Sequence, residues 1–110
     1  MTNIYETTMI VKPDLANDQL KHLTSSLEGF FNDNNVVIGY KEDWGIKNLK
    51  FSIKKYYKGS YKFIRFSADQ TFPKKLDNFL KFNSDCLRYI IIKSDNELLE
   101  PTPQINKENL

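Results

Sequence analysis

The sequence predicts an α+β fold in which four antiparallel strands and two helices alternate as β-α-β-β-α-β, with both helices on one face of the sheet. Three observations carry this reading. Two segments space their apolar residues by three and four. Four others are rich in β-branched and aromatic residues, and the junctions hold proline, glycine, asparagine or aspartate. With 110 residues the chain supports one hydrophobic core and not two, and 40% hydrophobic content is ordinary for a folded domain.

Residues 3–12 form a β-rich run that stops at the turn signal Pro13-Asp14. From about Ala16 to Asn34, Leu20, Leu23, Leu27, Phe30 and Phe31 line one side of a helix, with Asn17 as the expected N-cap and the Asn-Asp-Asn-Asn run at 32–35 ending it. Val36-Val37-Ile38 opens the second strand, in which Trp44-Gly45 marks a bulge or bend. That strand resumes through Leu49, Phe51 and Ile53, whose alternation makes Phe51 and Ile53 expected packing residues. Lys58-Gly59 reads as the turn into a third strand, Tyr61 to Ala68. Pro73 suits the first turn of a second helix with Leu76, Phe79 and Leu80 as its buried stripe, and Leu87 to Lys93 is the fourth strand. This order is the ferredoxin-like split βαβ arrangement. The folded domain is expected to be 1–94, and 95–110, with two prolines and four acids, a flexible acidic tail.

Strand alternation then sorts side chains between the faces. With Tyr5, Thr7, Met9, Val11, Ile64, Phe66, Tyr89 and Ile91 toward the helices, Ile4, Glu6, Thr8, Ile10, Tyr61, Phe63, Arg65, Arg88, Ile90 and Ile92 lie on the open face. Large apolar patches are rarely left in water, so a protein partner is expected over Ile4, Ile10, Tyr61, Phe63, Ile90 and Ile92.

Charge is unevenly placed. The chain as a whole is only +2, yet Lys41 to Arg65 carries eight basic residues against Glu42 and Asp43, threaded between Trp44, Phe51, Tyr56, Tyr57, Tyr61 and Phe63. Basic side chains mixed with rings suit a polyanion with accessible bases. The plainer explanation is that lysines solvate strand edges while the aromatics fill a core. Lys58-Gly59-Ser60-Tyr61-Lys62-Phe63 has the composition of the RNA-recognition motif's third-strand signature but not its register, because Ser60 and Lys62 stand where rings belong.

Residues that support catalysis are sparse. His22, the one histidine, sits on the first helix with no nucleophile arguable beside it, and adjacent Glu42 and Asp43 point to opposite faces of a strand. The glycines are scattered rather than gathered into a phosphate loop. A single cysteine, Cys86, excludes an intrachain disulfide and a multi-cysteine zinc site, so no metal or cofactor is expected and a reducing cytoplasm is the expected compartment. No apolar run approaches the roughly 18 residues of a membrane span, and no secretory signal is expected at the start.

Tyr5-Glu6, Pro13-Asp14, Glu42-Asp43-Trp44-Gly45, Leu49 with Phe51 and Ile53, Gly59 with Tyr61, and Asn83-Ser84-Asp85-Cys86-Leu87-Arg88 form a series spread over residues 3–93. In order and spacing it resembles the family of bacterial protein six of the small ribosomal subunit, departing at Lys50 and Ser52, where that family commonly carries an alanine and a proline. The resemblance implies a non-catalytic ribosomal protein that binds the central domain of small-subunit ribosomal RNA beside protein eighteen of that subunit. It also implies that Arg88, Lys54 and Lys55 occupy the family's basic positions. Lys54, Lys55, Lys58, Arg65, Arg88 and Lys93 are the expected RNA-binding residues, with no small-molecule substrate. Two other classes share the fold. An acylphosphatase-like hydrolase needs an arginine in the loop after the first strand, where this chain has Lys12-Pro13-Asp14-Leu15; a ligand-binding or dimerisation module would use the open sheet face.

Overall fold

The computed structural model describes residues 2–98. Its elements are β1 (Thr2–Val11), α1 (Asn17–Asp33), β2 (Val37–Ile53), β3 (Tyr56–Asp69), α2 (Phe72–Lys81) and β4 (Cys86–Lys93). The strands form one sheet in the order β2-β3-β1-β4, every neighbouring pair antiparallel. The ferredoxin-like arrangement expected from periodicity is therefore the one observed.

Helical spacing explains the main core. Leu23, Leu27 and Phe31 of α1 and Phe72, Leu76 and Leu80 of α2 are buried against Tyr5, Met9, Val11, Ile64, Phe66 and Ala68 of the sheet. Phe31, Phe66 and Phe72 meet edge to face, with centroids 5.0 to 5.5 Å apart, a geometry that suits the ring quadrupoles. Burial of each such side chain contributes about 1.5–3 kcal/mol relative to exposure. Tyr89 ties β4 to α2 by donating to the Asp77 carbonyl at 3.0 Å.

Local expectations fare unevenly. Pro73 does lie in the first turn of α2, and Gly45, at φ 78°, lies at a register shift of β2. The N-cap of α1 is Ala16 rather than Asn17; the Gln19 carboxamide accepts the Ala16 N–H at 2.9 Å, the half of a capping box that the third helical residue supplies, while alanine has no side chain to supply the other half. The β2–β3 turn is also displaced. It is made by Lys54 and Lys55, both left-handed at φ 49° and 72°, whereas Gly59 lies inside β3, buried. A Cβ on Gly59 would stand 2.2 Å from Ile10 Cγ2, so this glycine serves close approach and not turning.

The face opposite the helices is not open. β2 and β3 run past the end of β1, and their shared end curls back, placing Leu49, Ile53 and Tyr56 over Ile10, Tyr61 and Leu87. Trp44 stacks on Phe63 with centroids 5.6 Å apart. Ile10, Tyr61 and Phe63 are consequently buried by the chain itself, which corrects their assignment to an exposed partner face. Residues 94–98, of which 95–98 are the expected start of the flexible tail, cross the same face. Ser94 and Asn96 donate to Glu6, the Glu97 carbonyl accepts from Arg65, and Leu98 lies against Gly39. The remainder of the expected tail, 99–110, lies outside the described residues. No helix among the described residues is long and apolar enough to cross a membrane.

Candidate functional site

Two surfaces remain to water among the positions singled out above. One is the curled β2–β3 end with Lys54, Lys55 and Lys58; the other is β4, the sheet edge, with Arg88, Ile90, Ile92 and Lys93. They adjoin. Ile53 and Tyr56 pack in one cluster with Leu87, and the Lys54 charge acts on the Cys86 thiol, so the hairpin end sits beside the start of β4. Arg88 thus joins Lys54, Lys55 and Lys58 at one end of the molecule. Lys93 is five residues further along β4, about 17 Å away at the strand rise, opposite Tyr5. Ile4 is half-buried, and Ile90 and Ile92 are 45% and 48% exposed, an apolar strip along the β4 edge.

Arg65 belongs to neither surface. It is fully buried, which corrects its assignment to phosphate contact. Its Nε donates to Glu6 Oε2 at 2.8 Å and Nη2 lies 2.7 Å from the same oxygen. Its guanidinium carbon stands 5.8 Å from the Tyr40 ring centre and 5.6 Å from that of Phe63. A buried cation held by carboxylate, carbonyl and two rings is a structural group.

The sequence reasoning also missed two residues. Phe51 is 78% exposed, not packed, and Tyr57 is 75% exposed, both on the hairpin end among lysines. The irregular pairing between Asn48 and Ile53 breaks strand alternation there, so Leu49 and Ile53 turn inward without bringing Phe51 with them. The signal available in advance was composition: no acid stands between Asp43 and Asp69.

The side chains weighed for catalysis in the sequence lie apart from one another. Burial pushes the Cys86 thiol up to about 11, against the opposing influence of a hydrogen bond at Arg88 and the Lys54 charge, so at neutral pH it is no nucleophile. His22 is on the solvent side of α1. Asp43 is held below the usual carboxylate range first by its hydrogen bond from Lys62, at 2.6 Å. A cavity of about 210 Å³ lies between α1 and the sheet, walled by Met9, Val11, Leu23, Leu27 and Ile64 and rimmed by the Lys41–Glu28 and Lys62–Asp43 pairs. It is smaller than the roughly 300 Å³ at which ordinary ligand sites begin. Among the described residues no three histidine, cysteine, aspartate or glutamate side chains gather as a metal site.

The family model described as ribosomal protein S6 matches residues 4–93. The chain belongs to the ribosomal protein S6 family. Among curated S6-family relatives, small ribosomal subunit protein bS6 of Geobacter sulfurreducens is 34% identical over 104 residues, 94% of this chain and 89% of its own length. The Oenococcus oeni bS6 protein is 33% identical over 96 residues, covering 86% of this chain and 66% of its own. The crystal structure of 30S ribosomal protein S6 from Thermotoga maritima superposes with a TM-score of 0.78 at 22% identity, over 86% of this chain and 89% of that one. That likeness gives the S6 family's fold, and the sequence matches give the membership. This S6-family chain is therefore a ribosomal protein of the small subunit, with a role in translation.

Proposed function

We propose that the chain is a non-enzymatic structural component of the cytoplasmic small ribosomal subunit that binds the central domain of its ribosomal RNA together with small-subunit protein eighteen. The observation that carries this is the gathering of Lys54, Lys55, Lys58 and Arg88 at one end of the molecule, where Asp85 is already paired with Lys12, within a chain of the S6 family. Lysines there neutralise phosphates as point charges, and the planar Arg88 guanidinium bonds phosphate oxygens in pairs or stacks on an exposed base. Lys93 adds a contact further along β4.

With Arg65 buried, about four phosphates are neutralised at this end, so the log–log salt slope of RNA binding is about −3. A net charge of only +2 makes the isolated chain a weak binder. Protein eighteen, docked on the apolar strip of Ile4, Ile90 and Ile92, adds contacts and settles part of the ordering cost before RNA arrives. The test is binding of the full chain to a central-domain ribosomal RNA fragment, with and without protein eighteen, over a salt series. Tighter binding with the partner, a slope near −3 and a loss in Lys55→Ala/Arg88→Ala support the reading. A salt-insensitive curve, or undiminished binding by that double variant, defeats it.

A further inference from the structure

We infer that the β2–β3 hairpin end is a base-stacking platform, on which the Phe51 and Tyr57 rings lie against unpaired bases while Lys50, Lys54, Lys55 and Lys58 hold the adjoining phosphates. This rests on the RNA-binding reading and specifies its ligand: a single-stranded loop, bulge or junction rather than a duplex.

Exposure is the first argument. Phe51 and Tyr57 are 78% and 75% exposed, although this same end packs the half-buried Leu49, Ile53 and Tyr56 against Ile10, Tyr61 and Leu87. The hairpin end is thus anchored from beneath and presents two rings from a fixed base, which lowers the ordering cost of binding. Its neighbourhood is the second argument. Lys50, Lys54, Lys55 and Lys58 are all exposed, and from Trp44 to Ala68 the chain has no acid. Protein interface centres are depleted in lysine, whereas rings among lysines are what single-stranded nucleic acid meets in its binding grooves.

The turn supplies the third argument. Lys54 and Lys55 both hold left-handed backbone, a conformation that asparagine followed by glycine adopts at much lower cost. Two consecutive lysines in this position put side-chain charge where local folding preference would place neither. A-form duplexes keep their bases stacked and their major groove too deep and narrow for side chains, so rings on a hairpin end can reach bases only where these are unpaired.

The test uses the full-length chain and two probes at low salt: a single-stranded oligouridylate of about twelve nucleotides and a blunt RNA duplex of equal length. The wild-type chain should prefer the single strand. Phe51→Leu and Tyr57→Leu should each weaken that binding roughly tenfold, the energy of one lost stack, while duplex affinity changes less than about twofold and Tyr57→Phe behaves as wild type. Lys54→Asn/Lys55→Gly should raise the melting temperature yet weaken binding to both probes, a combination that a purely structural role for the turn does not produce. Leucine variants that bind the single strand like wild type, or a wild-type preference for duplex, overturn the inference while salt-dependent duplex binding leaves the RNA-binding reading standing. Leucine variants that keep RNA but lose protein eighteen reassign the rings to protein contact and also overturn it. A wild-type chain that binds neither probe, and no central-domain fragment even with protein eighteen present, overturns both readings together.

Discussion

Replacing Arg65 by methionine should cost far more stability than RNA affinity, the reverse of what its place in a basic run suggests. The guanidinium is fully buried and the Glu6 side chain only 13% exposed. Removing one member of such a pair leaves the other charge poorly solvated, a loss of about 3–5 kcal/mol. Ser94 and Asn96 still donate to Glu6 at 2.9 and 3.2 Å, which offsets part of this and places the expected value near 3 kcal/mol, inclusive of lost contacts with the Tyr40 and Phe63 rings. For a domain of this size that lowers Tm by on the order of 15 °C. Urea denaturation followed by Trp44 fluorescence gives the free energy directly. Glu6→Met combined with Arg65→Met should recover most of the loss, because two apolar side chains of similar volume need no counter-charge. A loss below about 1 kcal/mol in Arg65→Met, or a double variant no more stable than the single, would refute the assignment of Arg65 as a structural cation. So would a tenfold fall in RNA affinity at unchanged stability.

Gly59→Ala should destabilise by about 2 kcal/mol in thermal or urea unfolding, since its Cβ would press on the buried, β-branched Ile10 at 2.2 Å; unchanged stability would show that Ile10 moves aside freely. Cys86 should resist a thiol-specific disulfide reagent at pH 8, where a thiol held at about 11 is roughly one part in a thousand thiolate, and react at once in denaturant. Because folding raises the pKa of this thiol, the native state holds its proton more tightly. Stability from that source is full below pH 9 and declines as pH rises toward 11, with Tyr89, raised to about 12, extending the decline; a flat stability profile over that interval argues against both. Tyr89→Phe should cost about 1 kcal/mol through the lost hydrogen bonds to Asp77, read by the same unfolding assay.

Element order was legible because it rests on periodicity. Leu23, Leu27 and Phe31 declare one helix, Leu76 and Leu80 the other, and the structure buries those residues. Strand alternation likewise assigned Ile10, Tyr61, Phe63 and Arg65 correctly to the face away from the helices. It could not say what lies above them, because the cover comes from non-local chain: the curled end of β2 and β3 and residues 94–98. The turn at Lys54-Lys55 was hidden because lysine carries no turn signal, while Gly59, the visible glycine, serves a tertiary contact. Phe51 was misplaced for a related reason, since alternation through Leu49, Phe51 and Ile53 holds only in a regular strand. Of the basic residues, Lys54, Lys55, Lys58 and Arg88 stand exposed, and the family resemblance, spread over the whole folded range, is what gave them a ribosomal context.

The path of residues 94–98 bears on where this domain ends. From Lys93 on β4 the chain passes Glu6 on β1 and Arg65 on β3 and reaches Gly39 in β2, stepping over three inter-strand gaps of about 4.8 Å each. Five extended residues reach about 17 Å, so the segment is close to the shortest that spans the sheet and has little slack. It works as a crosstie, joining one sheet edge to the other through the Glu6–Arg65 pair. A version trimmed at Lys93, where the family match also stops, would keep every helix and strand. It would nonetheless open the Arg65 ion pair to water and leave the curled β2–β3 end over Leu87 as the remaining cover on this face between the two sheet edges.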